Sequence, residues 1–349
     1  MRFRPAITLS ALALIGTGCS LVTENDDAPD TAPGECGEVV LVTHDSFDLP
    51  KKVVKAFEDE SGCTLTHSPA GDGGELTSTL TVTQGDPIGD VAFGVDNTFA
   101  GAALEEGVFA PYDAELPSGA DQYLLPGDDE GVLTPVDNAS VCVNVDSAWF
   151  AERDLEPPAT LDDLVDPAYR DLFVTSAATT STPGLAFLLA TIGEYGDDWT
   201  TYWEDLLANG AKVVKGWEDA YYVDFSFSGG DRPIVLSYDT SPAYTVKDGE
   251  TSTAALLDTC FRQVEYAGVL EGAANPEGAE RVIDFLLSRE VQEALPTSMY
   301  VFPVDDEAAL PPEWAEFATQ PEAPIEVAPE DISEHRREWL MEWTDITSG

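Results

Sequence analysis

The chain has 349 residues, 43% of them hydrophobic, with 16 Lys and Arg set against 66 Asp and Glu. A formal net charge of −50 excludes a nucleic-acid partner, because so few cations cannot neutralise a phosphate backbone. Adaptation to salt or simple solubility accounts for this charge more readily than function does, although the same field favours a cationic solute over an anionic one.

Taken in chain order, the first features concern the compartment. Arg2 and Arg4 precede an apolar run from Ala6 to Ile15, followed by Gly16-Thr17-Gly18-Cys19. Residues 1–18 have the layout of a secretory signal, and the run is too short to span a bilayer. A cysteine directly after small residues resembles a bacterial lipobox, so Cys19 is the candidate lipidation site. Gly16 stands where leucine is usual, and plain signal cleavage with an incidental Cys19 is the alternative. Residues 19–35 are acidic, rich in Pro, Asp and Thr, and lack apolar periodicity, which predicts a disordered tether. Its 16 residues after Cys19 would reach roughly 20–25 Å. The expected location is outside the cytoplasm, anchored to the outer face of the cytoplasmic membrane through Cys19, or periplasmic.

From Val39 onward, short apolar runs alternate with amphipathic stretches. Strands are expected at Val39–Val42, Cys63–Thr66 and Asp90–Val95, and helices from Pro50, at Gly74–Val82 and at Thr98–Glu106. The second half repeats this, with strands at Ser140–Val145, Asp171–Thr175, Lys212–Val214 and Pro233–Ser237. A short helix is expected at Leu161–Val165, with longer ones at Pro183–Tyr195 and Trp199–Ala208. Arg262–Tyr266 reads as a return strand, and Pro276–Ser288, Arg289–Ala294 and Ile332–Trp343 as the closing helices. Such alternation implies an α/β fold of mostly parallel sheets with helices on both faces. Two similar halves suggest two lobes, one from residues 36–137 and 262–349 and the other from 138–261, with a cleft between them.

If Cys19 carries lipid, four cysteines remain, an even number that suggests disulfides in an exported chain. Of three pairings, Cys36–Cys63 is favoured because each begins one of the first two strands. Cys142–Cys260 then follows and would join the segments at the lobe crossover.

Open α/β sheets bind ligands beyond the carboxyl ends of their strands. That rule selects Thr43–Phe47, Gly94–Asn97, Thr180–Gly184, Gly216–Tyr221 and Ser237–Tyr244, a set rich in aromatic and carboxylate side chains. This composition suits a flat cation: Trp217, Tyr238 and Tyr244 could stack on rings, and Asp45, Asp96 and Asp239 could offset its charge. Thr182-Pro183 and Ser241-Pro242 read as helix starts with a hydroxyl N-cap, whose free N–H groups can hold an anionic or hydroxyl group. No GxSxG, HExxH, P-loop or GxGxxG pattern occurs, so no enzyme activity and no cofactor or metal is expected. Gly71-Asp72-Gly73-Gly74 lacks a lysine and reads as a turn.

These loops also resemble a known family. Thr43-His44-Asp45-Ser46-Phe47, Asp96-Asn97, Ser181-Thr182-Pro183-Gly184-Leu185, Lys215-Gly216-Trp217 with Ala220-Tyr221, and Ser237-Tyr238 with Thr240–Tyr244 follow in a specific order. They are similar to the thiamine-binding proteins of bacterial ABC importers, within the type II periplasmic binding protein superfamily. The resemblance implies that thiamine or a thiamine phosphate lies between the lobes, stacked on Trp217 and Tyr244 with Tyr238 and Tyr221 nearby. It sets Asp45 and Asp96 near the ligand, and Ser46 and Asp239, in the loops beside them and beside Tyr238, are candidate contacts too. Ser181, Thr182 and Gly184 fall at the end receiving the hydroxyethyl or phosphate group. Tyr300 falls where family members carry tryptophan, and His44 where tyrosine is common. A monomer that hands its ligand to a membrane permease is implied. The rivals are a ferric-ion receptor, for which Tyr221-Tyr222 offers a phenolate pair, and a polyamine receptor.

Overall fold

The computed structural model describes residues 36–348. The signal segment, Cys19 and the tether therefore lie outside the described residues.

Strand β1, Gly37–Thr43, pairs in parallel with β2, Cys63–Pro69, and with β3, Val91–Asp96. Alternate side chains of this sheet enter different cores, as a period of two requires. Val39, Leu41, Val91 and Phe93 pack with Val282, Ile283 and Leu286 of the helix Pro276–Leu286. On the opposite face Val42 and Ala92 pack with Leu76 and Leu80 of the helix Gly73–Val82. A short β4, Phe109–Ala110, leads to β5, Thr134–Asp146, all of whose 13 residues are buried. Next come β6, Phe173–Ser176, β7, Lys212–Val214, and β8, Ile234–Tyr238, which pair in parallel around β6. Helices Thr182–Tyr195 and Trp199–Ala208 cover them with Phe187 and Trp203. After β9, Thr253–Ala255, strand β10, Phe261–Leu270, returns to the first end, and β11, Phe302–Pro303, adds to β5.

The principal order is β2-β1-β3-β10-β5-β8-β6-β7. Parallel pairing thus occupies both ends of the sheet, while the returning strands β10 and β5 make the middle antiparallel. This arrangement brings two sets of strand carboxyl ends together. Asp96, the last residue of β3, lies level with Glu265 of β10, which lies level with Asp137 of β5. Tyr238, the last residue of β8, lies level with Val141 of that same strand. The cleft forms where these ends meet.

Strand β5 starts earlier than the sequence suggests. Pro135, Asp137 and Asn138 are poor strand formers, but pairing with β10 and β11 overrides their preference. Both expected disulfides are present: Cys36–Cys63 ties the starts of β1 and β2, and Cys142–Cys260 ties β5 to the approach to β10. The last helix, Pro329–Thr347, grouped by sequence with the first lobe, packs on the second-lobe core. Trp343 meets Trp203 edge to face at 5.6 Å. Among the described residues no helix is long and apolar enough to cross a membrane.

Candidate functional site

A cleft of about 310 Å³ opens at the meeting of strand ends. His44, Asp45 and Ser46 enter from the loop after β1, and Asp72, Gly73 and Glu75 from the loop and helix start after β2. Across from them stand Thr182, the segment Lys215–Asp219, Tyr221, Tyr222, and the residues Tyr238, Thr240, Ser241 and Tyr244 that follow β8. Glu265 forms part of the floor, and Ser298 to Val301, including Tyr300, close one side.

The aromatic wall is braced by its own members. Trp217 stacks on Tyr221 with centroids 5.1 Å apart and meets Tyr222 and Tyr238 edge to face. Its Nε1 donates to Ser237 Oγ at 2.9 Å, and that hydroxyl in turn bonds Ser241 Oγ at 2.7 Å. Tyr221 belongs to a π-helical turn, Asp219–Asp224, which carries its ring inward and leaves Tyr222 exposed at the rim. Tyr244 meets Tyr300 at right angles, with centroids 4.9 Å apart. Burial raises the Tyr221 and Tyr238 phenols, and pushes Tyr222 up to about 12, so all three are neutral hydroxyls near neutral pH.

Acids dominate the rest of the lining: Asp45, Asp72, Glu75, Glu218, Asp219 and Glu265. Lys215 lies among them but is engaged by Glu75 at 2.9 Å. Asp72 crosses the cleft. It caps its own helix by accepting from Gly73 N, then accepts from Thr182 N at 3.2 Å and Trp217 N at 2.9 Å. A second crossing joins Thr182 Oγ1 to Asp96 Oδ2. Gly73 permits this approach, because a Cβ there would collide with Thr182 Oγ1.

Of the residues singled out from sequence, Asp45, Ser46, Thr182, Trp217, Tyr221, Tyr238, Tyr244 and Tyr300 line the cleft. Four do not. Asp96 is fully buried beneath it, bonded to Thr98 and Thr182, and burial pushes its carboxyl up to about 6. Ser181 is buried and donates to Ser176 Oγ. Gly184 packs against the backbone of Ser176 and Ala177, where a Cβ would not fit. Asp239 points away into the protein with both oxygens unpartnered, and burial raises it to about 7. The helix starts also shift by one residue. Ser181 and Thr240 hold the cap positions, because Thr182 bonds Asp96 and Ser241 bonds Ser237 instead of capping. The Thr182 N–H donates to Asp72 Oδ1.

Sequence reasoning missed Asp72, Glu75, Tyr222 and Glu265 as cleft residues. Asp72 had a legible signal, an acid directly before a helix, whereas Glu265 lies mid-strand and gave none. Among the described residues, no group of three or more His, Cys, Asp or Glu side chains is placed to hold a metal ion.

This chain belongs to the bacterial extracellular solute-binding proteins, whose family profile matches residues 86–321. Within that class its relatives are specific. It is 32% identical to the thiamine-binding periplasmic protein of Escherichia coli K12, over 91% of this chain and 96% of that one. It is 30% identical to the protein of the same name from Brucella suis, across the full length of both. A solved periplasmic thiamin binding protein superposes with a TM-score of 0.79 at 30% identity, covering 89% of this chain and 96% of that one. The two-lobed type II periplasmic binding protein fold follows from that likeness.

Proposed function

We propose that this protein is the extracytoplasmic receptor of an ABC importer for thiamine or its phosphate esters, and not an enzyme. The observation that carries the reading is a braced wall of Trp217, Tyr221, Tyr238 and Tyr244 in a cleft lined by six carboxylates, whose one lysine is already paired. Thiamine joins a cationic thiazolium to an aminopyrimidine. Both rings can stack on such a wall, and the acids offset the charge. The names of the similar proteins point to the same ligand. The acid majority favours the less phosphorylated forms of the vitamin.

Capture works by closure. A ligand touching both walls favours the arrangement in which Asp72 and Asp96 reach Thr182 and Trp217 across the cleft. In this reading the hinge lies at the lobe crossovers, residues 137/138 in β5 and 261/262 at the start of β10, close to the Cys142–Cys260 disulfide. The closed monomer then docks on a membrane permease, tethered to the bilayer by lipid on Cys19. Against ferric ion, Tyr221 is buried and stacked on Trp217 whereas Tyr222 stands exposed at the rim.

The test is a tryptophan-fluorescence titration with thiamine, its monophosphate and its diphosphate, using ferric ion and spermidine as controls. Saturable quenching by thiamine compounds, lost in Trp217→Ala, is expected. A response to iron or spermidine alone would keep the receptor class and remove the ligand.

A further inference from the structure

Glu265 differs from the other acids of the cleft. It is 5% exposed and lies in the middle of β10, in a row with Asp96 on one neighbouring strand and Asp137 on the other. Asp96 is already bonded by Thr98 and Thr182, while both Asp137 oxygens are buried without a partner. The cation facing Glu265 is His44, whose Nε2 lies 3.4 Å from Oε1. That is ion-pair distance, yet the geometry falls outside a hydrogen bond, so Nε2 has no bonded partner although the residue is only 9% exposed. The ring is fixed where it stands. Phe93 packs 5.7 Å away, and Gly94, at φ 101°, leaves room that a Cβ would take from His44 Cδ2.

A buried carboxylate at the floor of a cleft thus has a counter-ion that is close but exchangeable. We infer that Glu265 anchors an N–H donor of the ligand, and that His44 is the resident counter-ion it gives up. A cationic ring bearing an amino group takes over Glu265, and the His44 imidazolium releases its Nε2 proton to solvent. The ligand class is that of a thiamine-like aminoheterocyclic cation, so the inference rests on the function proposed above.

The charged surroundings set the sign. Burial by itself lowers His44, but Glu265 from β10, Asp72 from the loop after β2 and Asp45 from its own loop outweigh it, and His44 stands above its ordinary value. His67 on β2 also faces it and is held down, first by burial and then by His44. Burial raises Glu265, but His44 first, then Asp137 and Gln263, outweigh it and keep Glu265 below its usual range. Burial, followed by Glu265, raises Asp137, so it adds no second charge beside Glu265. Tyr238 stays neutral beside them. A bound cation removes the Glu265 pairing and adds repulsion, so His44 must lose its proton. Affinity then rises with pH through the His44 titration and levels off above it.

The experiment is titration calorimetry of the whole protein with thiamine at about pH 6.5, near the imidazole range, in phosphate and in bis-Tris. These buffers differ widely in ionisation enthalpy, so a released proton appears as a difference between the two binding enthalpies. A release of a substantial fraction of one proton per thiamine is expected, kept in His67→Gln and lost in His44→Gln while binding persists. Glu265→Gln should weaken binding about tenfold or more, because a charge-assisted bond becomes neutral. Tight binding with the same enthalpy in both buffers, or a release that survives His44→Gln, overturns the inference and leaves the thiamine reading intact. Absence of thiamine binding in either buffer overturns both. An independent arm follows the His44 ring by NMR without ligand: its midpoint should fall in Glu265→Gln, and an unmoved midpoint overturns the pairing.

Discussion

On the second-lobe side of the cleft, rings hold rings: Trp217 lies on Tyr221, leans on Tyr238 and is pinned by Ser237. On the first-lobe side the lining includes His44, Asp45, Ser46, Asp72, Glu75 and Glu265, with Tyr300 at one edge, and the polar bonds run outward across the cleft. One wall is organised before any ligand arrives, so stacking there costs little ordering. The other gains its partners only when the lobes meet, which couples charge recognition to closure. Affinity should therefore reside chiefly in the rings, and selectivity and motion in the acids.

The largest expected effect tests the aromatic side. Trp217→Ala should lower thiamine affinity about 100-fold, on the order of 3 kcal/mol for a stacked, cation-facing ring. Calorimetry giving a change below about threefold would move the seat of affinity to the acids.

Next comes Asp239, which follows Tyr238 and carries a buried carboxyl raised to about 7 by burial. Its folded value exceeds its unfolded value of about 4. The destabilisation it causes is thus absent below about pH 4 and complete above about pH 7. Asp239→Asn should raise the thermal midpoint at pH 8, by on the order of 2–4 kcal/mol of stability, and leave it nearly unchanged at pH 4. An equal shift at both pH values would show that the carboxyl is not ionising there.

Asp72→Ala removes an acceptor shared by Gly73, Thr182 and Trp217. A roughly tenfold loss of affinity is expected from these charge-assisted bonds. Small-angle scattering with saturating thiamine should show a larger radius than the unsubstituted protein. An unchanged radius would mean that closure does not depend on this wall.

The smallest effect belongs to Ser46→Ala. Its 3.4 Å bond to Glu218 is exposed at the rim, so affinity should change less than about twofold. A larger loss would place Ser46 against the ligand itself.

Much of this was readable in the chain. Continuous apolar runs such as Val39-Val40-Leu41-Val42 marked strands buried on both faces, and their spacing located the loops that carry Trp217, Tyr238 and Tyr244. Other features were hidden for physical reasons. Pro135 and Asp137 look like breakers until β10 and β11 pair with them. Asp96 and Asp239 share the composition of ligand acids but face inward, which no local pattern reveals. Thr182 looks like a cap because its neighbour is proline, yet its hydroxyl finds Asp96 from the opposite lobe.

The sequence alone determined what is local: the strand and helix periods, the cysteines at strand starts, the aromatic loops and the acidic balance. Which acids meet the cleft was decided by the tertiary structure, because β5 and β10 bring the ends of β3 and β8 together from distant parts of the chain. Glu265 and His44, 3.4 Å apart but far apart along the chain, are neighbours only in the folded sheet.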